Sequence, residues 1–435
     1  MLYYSTGKIA PHVDFREATI NGQAPDKGLY FPESIPVLSP ELLNSFSGMS
    51  RSAIAFEVMK PYVGDAIPAD ILKSIAAETV DFEFPLVKVA ENIFSLELFH
   101  GPTLAFKDVG ARFMSRCLGY FAKTLNKKIT VLVATSGDTG GAVAAGFAGV
   151  EGVNVVILYP SGKVSKVQEL QLTTWGGNIT ALEVDGNFDD CQQMVKHAFA
   201  DDSITNNLFL TSANSINVAR WLPQQLYYFF ALQQWKAKQP PVISVPSGNF
   251  GNICAGLLAN KSGLPVGHFV AACNANDAVP NYFNTQEYHP KKAVATISNA
   301  MDVGNPSNFV RILEMFNKDF QELSSKVTAY SISDEETTET IRQVYLEKDY
   351  LLDPHGAVAY LALQKYLSTN TSSESGQKGI ILETAHPVKF YDVVEPIINE
   401  TIDLPPAIKA ISGKQKSSIQ MDNDYGKFHS YLLSL

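Results

Sequence analysis

The sequence predicts an α/β fold: two parallel sheets covered by helices, behind a small N-terminal cap. Three observations lead there. From about residue 96 onward, short β-branched runs alternate with helical patterns, the signature of parallel strands joined by helical crossovers. Two of these strands run into glycine-rich turns, 135–141 and 246–252, far enough apart in the chain to serve two sheets. The length of 435 residues corresponds to two or three domains, at roughly 150 residues per domain.

Taken in order, residues 1–95 read as a mostly helical cap. Pro25, Asp26 and Gly28 mark a turn ahead of a short strand. Ser39-Pro40-Glu41 and Pro68-Ala69-Asp70 open helices, with proline in the first turn. Residues 96–405 form the α/β region. Its strands are expected at 129–134, 153–159, 178–184, 242–245, 268–273 and 379–384. Helices are expected around 141–149, from Asp189 to Ala200, from about 251, and over one long stretch from Val218 to Lys238. The polar run 368–377 reads as a surface loop, and 406–435 as a C-terminal tail.

Composition removes several classes of function. Hydrophobic residues make up 46% and charged residues 18%, enough apolar material for a large core. Lys plus Arg number 34 against 44 Asp plus Glu, a net charge of −10. That balance argues against a nucleic-acid partner, which calls for a basic face. Cys117, Cys191, Cys254 and Cys273 are scattered without metal-site or disulfide spacing, so no metal is expected. They read as core thiols of a reducing compartment, hence a cytoplasmic protein. The N-terminus lacks the pattern of a secretory leader. The stretches 129–150 and 243–260 are apolar but broken by Ser, Gly and Asn or Asp near the middle. A bilayer tolerates such breaks poorly, so both read as buried strand–helix units and no membrane partner is expected.

Chemistry concentrates at a few places. The turns Thr135-Ser136-Gly137-Asp138-Thr139-Gly140-Gly141 and Pro246-Ser247-Gly248-Asn249-Phe250-Gly251-Asn252 each offer backbone N–H groups and small side chains at a helix start. Such a turn binds anions. Neither matches GxGxxG or GxxxxGK[ST], which argues against a nucleotide fold and a nicotinamide dehydrogenase. Lys107 lies among apolar residues in Pro102-Thr103-Leu104-Ala105-Phe106-Lys107-Asp108. A lysine amine in such surroundings can lose its proton and attack carbonyls, although an isolated lysine is more often an exposed helix residue.

These segments, in this order, resemble the pyridoxal-phosphate enzymes of the tryptophan-synthase-β type. Residues 24–33 and 214–220 resemble the threonine-synthase family among them, and the likeness runs from about residue 4 to about residue 400. The resemblance implies that Lys107 carries the cofactor aldehyde as an imine and serves as the catalytic base. It implies that Gly248, Asn249, Phe250, Gly251 and Asn252 cradle the cofactor phosphate, and that Thr384 meets the pyridine nitrogen. Ser136, Gly137, Asp138, Thr139 and Gly140 would hold the substrate's α-carboxylate. Asp138 is conspicuous, because related turns often carry Asn there and an ionised acid would repel that carboxylate. The implied substrate is O-phospho-L-homoserine, converted with water to L-threonine and phosphate. For its phosphate, Arg220, Arg112, Lys163 and Lys166 are candidates, with Arg220 suited to a bidentate clamp. His355 and His386 read as structural histidines, His386 alone being close enough to Thr384 to test. A monomer or homodimer is expected. Serine or threonine dehydratases, phospho-lyases and a non-catalytic cofactor-binding relative are the alternatives.

Overall fold

The computed structural model describes residues 1–125, 128–369 and 376–435. Fourteen strands form three sheets among the described residues. The cap holds β1 (Leu2–Ser5), β2 (Val13–Asp14) and β3 (Tyr30–Pro32), an antiparallel sheet in the order β2-β1-β3. Around it lie the helices Phe15–Asn21, Arg51–Val63 and Ala69–Thr79.

The first large sheet contains β4 (Leu86–Lys88), β5 (Ile93–Glu97), β10 (Val242–Pro246), β11 (His268–Cys273), β12 (Val327–Ser331) and β13 (Gly379–Glu383). Its order is β12-β11-β10-β13-β5-β4, parallel except for β4. The second contains β6 (Ile129–Ala134), β7 (Val153–Pro160), β8 (Ile179–Asp185), β9 (Phe209–Ser212) and β14 (Ile419–Asp422), in the parallel order β14-β8-β7-β6-β9. Strands β6, β10 and β13 are buried along their whole length. That is why they read as continuous apolar runs rather than alternating ones.

The two glycine-rich turns do fall in two different sheets. Each follows a strand whose neighbours lie on both sides, β6 between β7 and β9 and β10 between β11 and β13. Connections leave such strands in opposite directions and open a crevice at the carboxyl ends.

Several boundaries differ from the sequence reading. Residues 86–97 fall inside the cap range 1–95 for the most part, yet they supply β4 and β5 to the six-stranded sheet. The segment 406–435 supplies β14, an edge strand beside β8, and the helix Tyr425–Leu433. The small-residue helix begins at Asp138 rather than near 141 and runs to Phe147. The long helix expected over 218–238 is divided into Val218–Trp221, a tight turn Leu222–Gln224 and Gln225–Gln234. Pro223 explains the division, since it lacks the N–H that would continue the ladder. Of the polar run 368–377, positions 370–375 lie outside the described residues.

Arg311 joins the cap to the larger body. It is fully buried, and its guanidinium donates to the carbonyls of Tyr30, Ser215 and Ile216 at 2.6–3.1 Å while lying 4.3 Å from the Trp221 ring. Hydrogen bonds to three carbonyls compensate for the desolvation of a charge without a carboxylate partner.

Candidate active site

The segment before Lys107 is pinned to the end of β13. Phe106 N donates to Thr384 O at 2.8 Å, His386 N donates to Leu104 O at 3.0 Å, and Ala105 bridges Ala385. Leu104 adopts a left-handed backbone (φ 58°) to make the turn. Asp108 closes the loop by accepting from Thr103 N at 2.9 Å and Thr103 Oγ1 at 2.5 Å. The helix Lys107–Leu125 therefore starts with Lys107 beside Thr384. The Lys107 side chain is 18% exposed, and its Nζ stands 3.9 Å from Asp138 Oδ2. Burial lowers the pKa of this amine; Asp138 raises it, and Lys389 and Arg220 lower it further.

The turn after β6 is braced from within. Thr135 Oγ1 accepts from both Gly137 N and Gly140 N at 2.9 Å. Gly137 takes φ 132°, a backbone that L side chains rarely adopt, and a Cβ there would meet Gln168 at 2.5 Å. Ser136 and Thr139 are half-buried, and the first-turn N–H groups of Asp138 and Thr139 have no acceptor within their own helix. Asp138 is buried. Its Oδ1 lies 2.9 Å from Lys389 Nζ and accepts from Gln168 Nε2 at 3.0 Å. Burial opposes its ionisation, but the charges of Lys389 and Lys107 outweigh it and hold the carboxyl well below its ordinary pKa.

The turn after β10 leads into the helix Gly251–Lys261 through Phe250, which is left-handed (φ 60°). A Cβ on Gly248 would stand 2.6 Å from Met301 Cα, so this turn has no room for a side chain there. Asn249 Nδ2 donates to Ser215 Oγ at 2.7 Å, and its Oδ1 accepts from Ser307 N at 2.6 Å. Asn252 Oδ1 accepts from Tyr228 at 2.9 Å, while its buried Nδ2 has no partner.

Arg220, on the helix Val218–Trp221, is buried with Nη1 unpartnered. Burial lowers its pKa to about 10, against the pull of Tyr227 and Asp108. Its charge is among those that lower the Lys107 pKa, so it lies within electrostatic reach of that amine. The other phosphate candidates lie elsewhere or are committed. Arg112 binds Asp81 at 2.8 Å and the Glu78 carbonyl, and Lys163 and Lys166 are exposed. His386 accepts from Val388 N, and burial brings its pKa down to about 4. His355 Nε2 accepts from Ala300 N at 3.2 Å, so its Nδ1 donates to Asp353, 2.5 Å away.

Sequence reasoning missed two buried groups here. Lys389, five residues after Thr384, is fully buried and ion-paired with Asp138. Glu383, immediately before Thr384, is fully buried with Oε1 accepting from Asp353 N at 2.7 Å and Oε2 unpartnered. Burial, reinforced by Asp353, pushes its pKa up. A lysine inside an apolar run after a strand was the available signal for Lys389. Nothing in the sequence marks Glu383, because the end of a strand is an ordinary place for an acid.

Lys107, Thr384 and the two glycine-rich turns adjoin the carboxyl ends of parallel strands in the two large sheets. A family model described as pyridoxal-phosphate dependent enzyme matches residues 85–382. The chain belongs to that class of enzymes. Models described as threonine synthase N terminus and threonine synthase, C-terminal match 2–80 and 356–432. A threonine synthase of Haemophilus influenzae is 43% identical, over 97% of this chain and 97% of the relative. One from Escherichia coli is 44% identical over 90% of each chain. The structure of a PLP-bound threonine synthase from Brucella melitensis superposes with TM-score 0.93 at 34% identity, covering 100% of this chain and 99% of that one. Within its class, the chain belongs to the threonine synthase family.

Proposed function

We propose that this chain converts O-phospho-L-homoserine and water to L-threonine and phosphate, as a carbon–oxygen lyase acting on a phosphate ester. One arrangement carries the reading. Lys107 follows a segment hydrogen-bonded to Thr384, its amine stands 3.9 Å from Asp138 of the turn 136–140, and the buried, unpaired Arg220 guanidinium acts on it electrostatically. The acidic charge and the four buried, unbridged cysteines favour a cytoplasmic protein, read as a monomer or homodimer.

The residues present fit pyridoxal phosphate. Gly248–Asn252 would hold its phosphate through backbone N–H groups at a helix start, with the unpartnered Asn252 Nδ2 as a further buried donor. Thr384 would meet the ring nitrogen. A hydroxyl does not hold a proton there as a carboxylate would, so the ring stays a mild electron acceptor. Lys107 would hold the aldehyde carbon. Bound in this way, pyridoxal phosphate supplies a conjugated acceptor for the electron pair left behind when the substrate's α-proton departs.

The remaining steps belong to the chain's own groups. The turn 136–140 holds the α-carboxylate, and Arg220 holds the phosphate that leaves. Lys107 Nζ, its pKa lowered by burial, takes the α-proton and returns protons where the product needs them. Several transfers within reach of one amine require that water enter only at the addition step. Incubation with O-phospho-L-homoserine should release threonine and phosphate in equal amounts. Phosphate without threonine, or release of a keto acid and ammonia, would assign the chain to one of the alternative activities.

A further inference from the structure

Lys389 has no role in any motif, yet it is fully buried, and its one ion-pair partner among the described residues is Asp138. The pair spans the two sheets: Lys389 follows β13 of the six-stranded sheet, in the turn Pro387–Phe390, and Asp138 follows β6 of the five-stranded one. The ammonium is held from two directions and the residue's backbone from a third. Nζ donates to Thr103 O at 2.8 Å, on the loop that carries Lys107, and approaches Asp138 Oδ1 at 2.9 Å. The Lys389 carbonyl accepts from Ser165 Oγ at 3.1 Å, the N-cap of the helix that brings Gln168 to the same carboxylate oxygen. Both groups bind Oδ1, which leaves Oδ2 facing Lys107.

We propose that Lys389 is a positioning residue for substrate binding, fixing Asp138 by one oxygen and balancing its charge so that a turn carrying an acid still accepts an anionic amino acid. The inference rests on the reading of turn 136–140 as the carboxylate site. An ionised Asp138 without its partner would repel an incoming carboxylate across a few ångströms of poorly screened space. With Lys389 in place the pair is neutral, and Lys107 and Arg220 leave the pocket attractive to anions. Asp138 and Lys389 therefore work as a unit, and a neutral pair should substitute for a charged one.

The test is a double-mutant cycle on the holoenzyme, read by calorimetric binding of 2-amino-5-phosphonopentanoate, a non-hydrolysable analogue of the substrate. Lys389→Met should weaken the analogue at least tenfold, and adding Asp138→Asn should recover most of that loss. Inorganic phosphate, which has no α-carboxylate, should lose less than threefold in Lys389→Met. Additive losses in the cycle, or phosphate weakened as much as the analogue, would overturn the proposal. Lys389→Arg keeps the charge and should bind the analogue within about threefold of the parent, and a larger loss would also overturn it. Reduction with borohydride separates the two levels. A cofactor fixed away from Lys107 sinks the functional reading, whereas an additive cycle in a protein labelled at Lys107 sinks only the role of Lys389.

Discussion

At the scale of single residues, the site works by burying charges unequally. Arg220 and Lys389 are both cations out of water, but Lys389 has a carboxylate and Arg220 Nη1 has no partner. A buried guanidinium with an open donor is a group prepared for an anion. Arg220→Ala should weaken substrate binding by about ten- to a hundredfold, the worth of one or two hydrogen bonds to a charged group. Equilibrium binding of the phosphonate analogue checks this, together with a visible cofactor spectrum that should be unchanged. Loss of both would mean that the fold has failed. Lys107, the turn 248–252 and Thr384 stand out in the sequence as candidates because their order and neighbours form a recognisable set. Lys389 and Glu383 do not. Their surroundings are set by groups far away in the chain, Asp138 and Asp353, and a single buried polar side chain leaves no periodic trace.

At the scale of elements, close approach decides which substitutions are tolerated. The helix Pro354–Thr369 packs on β10, β11 and β13. Its Gly356 faces Glu383 so tightly that a Cβ would stand 1.6 Å from Glu383 Oε2. Gly356→Ala should destabilise by more than about 3 kcal/mol, because a buried side chain with no free space must be displaced. A urea melt of the variant measures this, and a change below about 1 kcal/mol would show that the helix can shift away. The strands at 129–134 and 268–273 were readable to the residue, being short apolar runs buried at every position but His268. The helical stretch after Val218 was read as continuous because its apolar content is continuous. Pro223 interrupts the backbone without interrupting that pattern. Strand β14 escaped notice because it is an edge strand with only Met421 buried, so its sequence carries little hydrophobic signal.

At the scale of the whole molecule, the C-terminal segment is clasped to the five-stranded sheet by one buried acid. Glu183 accepts hydrogen bonds from Tyr159, Ser161, Ser418 and Gln420, and Lys416 pairs with it at 2.6 Å. Burial opposes ionisation, but Lys416 and the hydroxyl donors prevail and bring the pKa down to about 2. An acid whose folded pKa is depressed stabilises the fold above its ordinary value and loses that contribution as pH falls through the folded one. The clasp should therefore loosen between about pH 4.5 and pH 2. Hydrogen exchange across 406–435 should rise in that window before the core opens, and Glu183→Gln should flatten the dependence. Simultaneous exposure of tail and core would contradict the assignment.

The proposed chemistry depends on the amine at position 107 more than on any other atom in the molecule. Purified protein loaded with pyridoxal phosphate, reduced with borohydride and digested, should yield one peptide bearing the added mass, with the label on Lys107. A label on another lysine, or no label from a protein that still makes threonine, would contradict it.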